Sequence, residues 1–108
     1  MIRQALLASS VIAGMTHACL AATSSEENVT AGARFAQAQC SQCHVVVRSD
    51  SSGWTDAPFF PSIADRPTTT EQSLRAFLST PQIKMLHQPK TEADMSAVIA
   101  YILSLRKP

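Results

Sequence analysis

Cys40-Ser41-Gln42-Cys43-His44 gathers two thiols and an imidazole into five consecutive residues. On one helical turn, thiols three positions apart lie on the same side, and the histidine follows directly behind the second. The rest of the chain has to be built around that cluster. It is short, at 108 residues with 45% hydrophobic and 16% charged content, which suits one domain and not two. A chain of this size buries little surface, so a disulfide, a metal or a large apolar cofactor often supplements its core. The charges are scattered singly, with a formal net charge of +1, and this argues against a nucleic-acid-binding domain.

The first 22 residues have the pattern of an export signal. Arg3 precedes an apolar stretch from Ala5 to Met15, and small residues follow from Ala18 to Ala22, with cleavage expected after Ala21 or Ala22. A membrane anchor is the alternative, but the stretch falls short of the roughly 20 apolar residues that a span requires. A lipid anchor at Cys19 is a further alternative, disfavoured by Thr16, which stands where such junctions carry a larger aliphatic residue. Export places the mature protein in the periplasm, with no stable membrane insertion after cleavage. Without Arg3, eight basic residues face eight acidic ones, and the chemically useful side chains reduce to Cys40, Cys43, His44, His87, Met85 and Met95.

Residues 23–28 are small, polar and acidic and read as a mobile lead-in, leaving 29–108 as the domain. An alanine-rich segment over 30–43 reads as a helix. Residues 45–67 hold Gly53, Pro58, Pro61 and Pro67 and read as a long loop, which needs something to order it. A second helix is expected over 70–79, with Thr68 and Glu71 as its capping box and Leu74, Phe77 and Leu78 as its apolar stripe. The third, over 92–105, starts at Thr91 and shows Met95, Val98, Ile99 and Ile102 at i, i+3, i+4, i+7 spacing. Arg106 and Lys107 suit the negative end of its dipole. The expectation is an all-α domain with about three main helices and long ordered loops.

The C-x-x-C-H spacing is the attachment signature of c-type haem. Cys40 and Cys43 can each add to one vinyl group of the haem, and His44 can then meet the iron from the proximal face. Three other readings compete. A thiol redox pair opens a helix in a βαβ context that is missing here. A zinc site built from Cys40, Cys43, His44 and His87 is hindered because adjacent Cys43 and His44 fit poorly into one tetrahedron. A disulfide at this spacing closes a strained ring with little loop entropy to remove.

With that motif, residues 32–105 resemble the class I cytochrome c family, particularly its small bacterial periplasmic monohaem members. Gly32-Ala33-Arg34-Phe35-Ala36 is similar to the family's first helix, whose glycine allows close crossing with the last. Ala100-Tyr101-Ile102-Leu103-Ser104-Leu105 is similar to that last helix, where the aromatic ring packs at the crossing. Gly53-Trp54-Thr55-Asp56-Ala57-Pro58-Phe59-Phe60 and Ser73-Leu74-Arg75-Ala76-Phe77-Leu78 resemble the intervening segments.

The resemblance implies a small class I cytochrome c-like fold whose long loops wrap one covalently bound haem c. It also implies a methionine as the second axial ligand to iron, shortly before the last helix. Met85 stands there. Met95 competes by residue type alone, since it lies on the apolar face of the third helix. The family usually has proline directly after this methionine, whereas Leu86 occupies the place here and Pro89 comes later, which makes His87 the rival ligand. The resemblance further implies that a proline carbonyl accepts from the proximal histidine. Pro58 is the matching candidate and Pro61 the runner-up, although Pro58 could equally just shape the loop. Trp54 could donate to a haem propionate or cover the haem edge, and Arg66 could balance propionate charge or stay solvated.

The function expected from these residues is electron transfer by iron cycling between Fe(III) and Fe(II) under His/Met ligation. Transient redox protein partners would dock near Gln42, Val45 and Ile83, and a periplasmic dehydrogenase or terminal oxidase is a candidate partner. A haem-based sensor or gas-binding module with a labile sixth ligand is the alternative, as is the electron-accepting subunit of a periplasmic dehydrogenase. No base, nucleophile or substrate cavity beyond the haem ligands suggests an enzyme.

Overall fold

Alanines and glutamates between Thr16 and Phe35 favour a helix. In the computed structural model, which describes residues 16–48 and 57–108 and the side chains from Ser24 on, this stretch forms one 20-residue helix, α1 (Thr16–Phe35). The segment over 23–28, expected as a mobile lead-in, is helical. Once the inner turns are fixed against the rest of the domain, adding outer turns needs no new nucleus. Residues up to Met15, with Arg3 and the apolar stretch behind it, lie outside the described residues, as do Gly53 and Trp54.

Gly32 is where α1 meets the last helix, α4 (Glu92–Ser104). A Cβ on Gly32 would lie 1.9 Å from the Ala97 carbonyl oxygen and 2.7 Å from Tyr101 Cβ, so the two backbones can approach this closely only at glycine. Tyr101 packs at the crossing and donates its hydroxyl to the Val46 carbonyl at 2.5 Å. The turn after α1 widens into a π-helical segment, Ala36–Cys40, closed by Ser41 N–H donating to the Ala36 carbonyl at 3.0 Å. Such widened turns are uncommon and often stand at functional sites. The helix expected over 30–43 therefore starts earlier and ends at Cys40.

The expected loop over 45–67 contains a short helix, α2 (Phe60–Asp65). Pro61 sits in its first turn, where a missing N–H costs nothing, so the proline that signalled a loop instead opens a helix. Phe60 N–H donates to the Val45 carbonyl at 2.9 Å and ties α2 to the residue after His44.

Helix α3 (Glu71–Ser79) is capped by Thr70 and Ser73, not by Thr68 and Glu71. Thr70 Oγ1 accepts from Ser73 N–H at 3.0 Å and Ser73 Oγ accepts from Thr70 N–H at 2.8 Å. Serine takes the place that glutamate or glutamine holds in the usual box. Arg75 reaches from α3 to Glu92 at 2.5 Å and to Ser96 at 3.2 Å on α4.

Thr91 caps α4 by accepting from Asp94 N–H at 3.1 Å, with Glu92 and Asp94 in the positive first turn. Met95, Val98, Ile99 and Ile102 are buried as one face, and Ala97 and Tyr101 are buried against α1. Full burial of Val98 or Ile99 is worth about 2 kcal/mol each. A cation that the sequence did not signal bonds the far end of α4. Arg48 donates from Nη2 to the Leu105 carbonyl at 2.5 Å and to Asp65 at 2.9 Å, while Arg106 turns to the Ala64 carbonyl at 2.8 Å and to the Thr69 carbonyl. Among the described residues there is no strand, and no helix is long and apolar enough to cross a membrane.

Candidate cofactor site

The C-x-x-C-H motif winds as a turn after the π-helical segment. His44 N–H donates to the Cys40 carbonyl at 2.9 Å, and Cys43 N–H donates to the same oxygen at 3.2 Å. Cys40 is half-buried and Cys43 exposed, both as free thiols. Burial pushes the Cys40 thiol up to about 11, so it stays protonated at neutral pH. That is the reverse of the lowered value that makes a redox dithiol reactive. Among the described residues, no three His, Cys, Asp or Glu side chains gather as a metal site, which leaves the zinc reading without its ligand set.

His44 is held on two sides. Its Nδ1 lies 2.6 Å from the Pro58 carbonyl oxygen. A carbonyl only accepts, so Nδ1 carries the proton, and in the neutral ring Nε2 keeps the lone pair that a metal takes. The ring also lies against Phe60, with centroids 5.1 Å apart and planes tilted by 54°. Pro61 is buried in the first turn of α2.

Cys40 and His44 open onto a cavity of about 560 Å³, within the size range of cofactor pockets. Helix α2 supplies Phe60 and Ile63 to its wall, α3 supplies Leu74 and Leu78, and α4 supplies Val98 and Ile102. Arg66 and Thr68 are polar groups on the border. The loop between α3 and α4 brings both Met85 and His87 to the same cavity. Met85 is half-buried and His87 exposed. A smaller recess joins Cys40, Cys43 and His44 to the 84–87 segment. Met95 faces the core, 8% exposed, and borders neither space. Trp54 lies outside the described residues.

The donor set suits a large apolar ring with a central metal: two free thiols, an imidazole with its lone pair on Nε2, and walls of aliphatic and aromatic side chains. Sequence reasoning did not single out Phe60, which was legible only as part of a family-like phrase, although it borders both the His44 ring and the cavity.

An all-α frame with a close Gly32 crossing, closing an apolar cavity behind a C-x-x-C-H turn, defines a class I cytochrome c, a family of haem-containing electron-transfer proteins, and the chain belongs to it. It is 37% identical over 75 residues to cytochrome c-552 of Bradyrhizobium diazoefficiens, across 69% of this chain and 72% of that protein. No family model matches the chain, and no solved structure matches it.

Proposed function

We propose that this chain is an exported periplasmic electron carrier with one haem c, attached through Cys40 and Cys43 and ligated by His44 and Met85. The observation that carries the reading is His44, whose Nδ1–H donates to Pro58 and whose ring borders the cavity that Met85 borders from the opposing loop. The bound haem supplies an iron that takes up and gives back one electron.

The chain's own residues do the rest. The Pro58 carbonyl holds the imidazole in one tautomer and raises its basicity. The apolar walls from α2, α3 and α4 would limit water around a bound haem, and Arg66 would be available to offset propionate charge at the border. Met85 as a thioether donor beside the His44 imidazole would raise the reduction potential relative to two nitrogen donors. With His44 and Met85 both supplied to the iron by the protein, little rearrangement would be needed between oxidation states. Partners would meet the side of the domain near Gln42, Val45 and Ile83 and form a small transient interface. Ile83 is 97% exposed, which suits such a surface.

His87 borders the same cavity as the rival ligand, and Leu86, standing where the family usually has proline, supports a second reading, a haem-based sensor whose sixth ligand is easily displaced. Absorption spectra separate the two. Oxidised protein with Met85 on the iron has a weak long-wavelength sulfur-to-iron band, which Met85→Ala removes and His87→Ala leaves. Absence of the band in the oxidised wild-type protein, with loss of normal ligation in His87→Ala, reverses the assignment. Rapid carbon monoxide binding by the reduced protein at neutral pH favours the sensor, and absence of covalent haem in a pyridine haemochrome assay ends both readings.

A further inference from the structure

The loop over 80–91 carries Met85 but has little apolar anchorage around it. Ile83 is 97% exposed and Leu86 is 80% exposed, so the side chains flanking Met85 do not pin it by burial. Its backbone contributes one turn bond here, from Met85 N–H to the Gln82 carbonyl at 3.1 Å. Two glutamine side chains add further ties, beside the bond from the Thr80 hydroxyl to the Ala76 carbonyl at 3.0 Å. Gln88, half-buried, accepts from Gln82 N–H on Oε1 at 2.8 Å and donates from Nε2 to the Leu78 and Thr80 carbonyls at 3.2 and 3.0 Å. Gln82 Nε2 donates to the Phe77 and Thr80 carbonyls at 3.3 and 3.1 Å.

The orientation of the Gln88 amide follows from its neighbours. A backbone N–H can only donate and the two carbonyls can only accept, so the oxygen and nitrogen of the side chain are not interchangeable. One amide therefore closes the span from residue 82 to 88, with Met85 at its middle, and fastens that span to the C-terminal end of α3, whose last carbonyls have no helical partner. Pro89 follows directly, buried and with its φ fixed by the ring.

We propose that Gln88 is the positioning residue for the sixth ligand: its amide holds the 82–88 span closed and keeps the Met85 thioether at the cavity. This rests on the reading of Met85 as the ligand. A neutral thioether is a weak donor, so its retention depends on how little freedom the loop regains when the bond to iron breaks. Removing the clamp gives the open loop more conformations and shifts the balance toward an external ligand.

The test titrates oxidised holoprotein with imidazole, which competes for the sixth position. Gln88→Leu, which keeps the bulk, binds imidazole about tenfold more tightly than wild type, because three neutral hydrogen bonds of modest net value are lost. Its long-wavelength band weakens while the covalent haem content stays the same. Gln88→Glu keeps the acceptor for Gln82 but has no donor for Leu78 and Thr80, and it also binds imidazole more tightly. Arg75→Ala, which weakens the α3–α4 contact without touching this loop, leaves imidazole affinity unchanged and so separates positioning from general destabilisation. Wild-type imidazole affinity in both Gln88 variants overturns the proposal while leaving Met85 as ligand. A Met85→Ala protein that retains the band overturns the ligand reading itself, and the clamp's role with it.

Discussion

The Tyr101 hydroxyl donates to the Val46 carbonyl across 55 residues of sequence, at 2.5 Å and inside the protein. This bond joins α4 to the strand of chain that leaves the C-x-x-C-H turn, two residues beyond His44. It links the helix crossing to the segment that presents the imidazole. Burial also pushes the Tyr101 phenol up, so it remains a donor at any pH of interest. Tyr101→Phe leaves a buried carbonyl without its partner, which costs about 1–3 kcal/mol. Chemical denaturation should show a lower midpoint with an unchanged slope.

Gly32→Ala should destabilise despite the better helix propensity of alanine, which favours the variant by about 1 kcal/mol. The added Cβ would sit 1.9 Å from the Ala97 carbonyl oxygen, and that atom is backbone, so the helices must separate. Overpacking of this kind costs about 1–3 kcal/mol and occasionally more, which exceeds the gain. Thermal unfolding of the holoprotein measures the net sign, and a raised midpoint contradicts the crossing geometry.

Phe60→Ala removes the ring that lies 5.1 Å from the His44 imidazole and empties a site only 4% exposed. The expected loss is about 3–5 kcal/mol. His44 then keeps its bond to Pro58 but loses the wall beside it, so the reduction potential should shift as well as the denaturation midpoint. An unaltered potential indicates that Pro58 alone orients the ring.

Asp65 provides a pH dependence. The Lys107 backbone N–H donates to its carboxylate at 2.9 Å, and Arg48 stands against it, also at 2.9 Å. Chiefly the Lys107 backbone bond holds the carboxyl below its usual range; desolvation, the next largest effect, opposes it, and the Arg48 hydrogen bond and the Arg48 and Lys107 charges add to the lowering. A carboxyl with a depressed value in the folded state stabilises fully above its unfolded value, which is about 4. That contribution declines as pH falls below this value toward the folded one. Asp65→Asn should therefore be less stable than wild type at neutral pH, with the difference shrinking in acid. Paired denaturation curves at pH 7 and pH 3 check it, and a gap that widens in acid contradicts the assignment.

Some of this protein could be read directly from its residues. The C-x-x-C-H turn is a local pattern, and the i, i+3, i+4, i+7 stripe of α4 repeats with the helix, so both survive without knowledge of what they touch. The same holds for Gly32 and Tyr101, whose places at the crossing came through the family resemblance. Boundaries were less legible. Thr68 and Glu71 satisfied the capping spacing, but Thr70 and Ser73 formed the box because the chain turns two residues later, and Pro61 marked a loop where it starts α2. What only the tertiary structure decided are contacts between distant residues: Arg48 on the Leu105 carbonyl, Gln88 across the Met85 loop, and the choice of Pro58 over Pro61, both offered by the resemblance, as the carbonyl at His44. Each depends on where folding brings two separated backbone segments, and a single arginine, proline or glutamine in a loop has no periodicity from which that distance can be read. The motif therefore lay in five consecutive residues, while the arrangement that holds the imidazole and brings the Met85 loop to the same cavity came from packing around it.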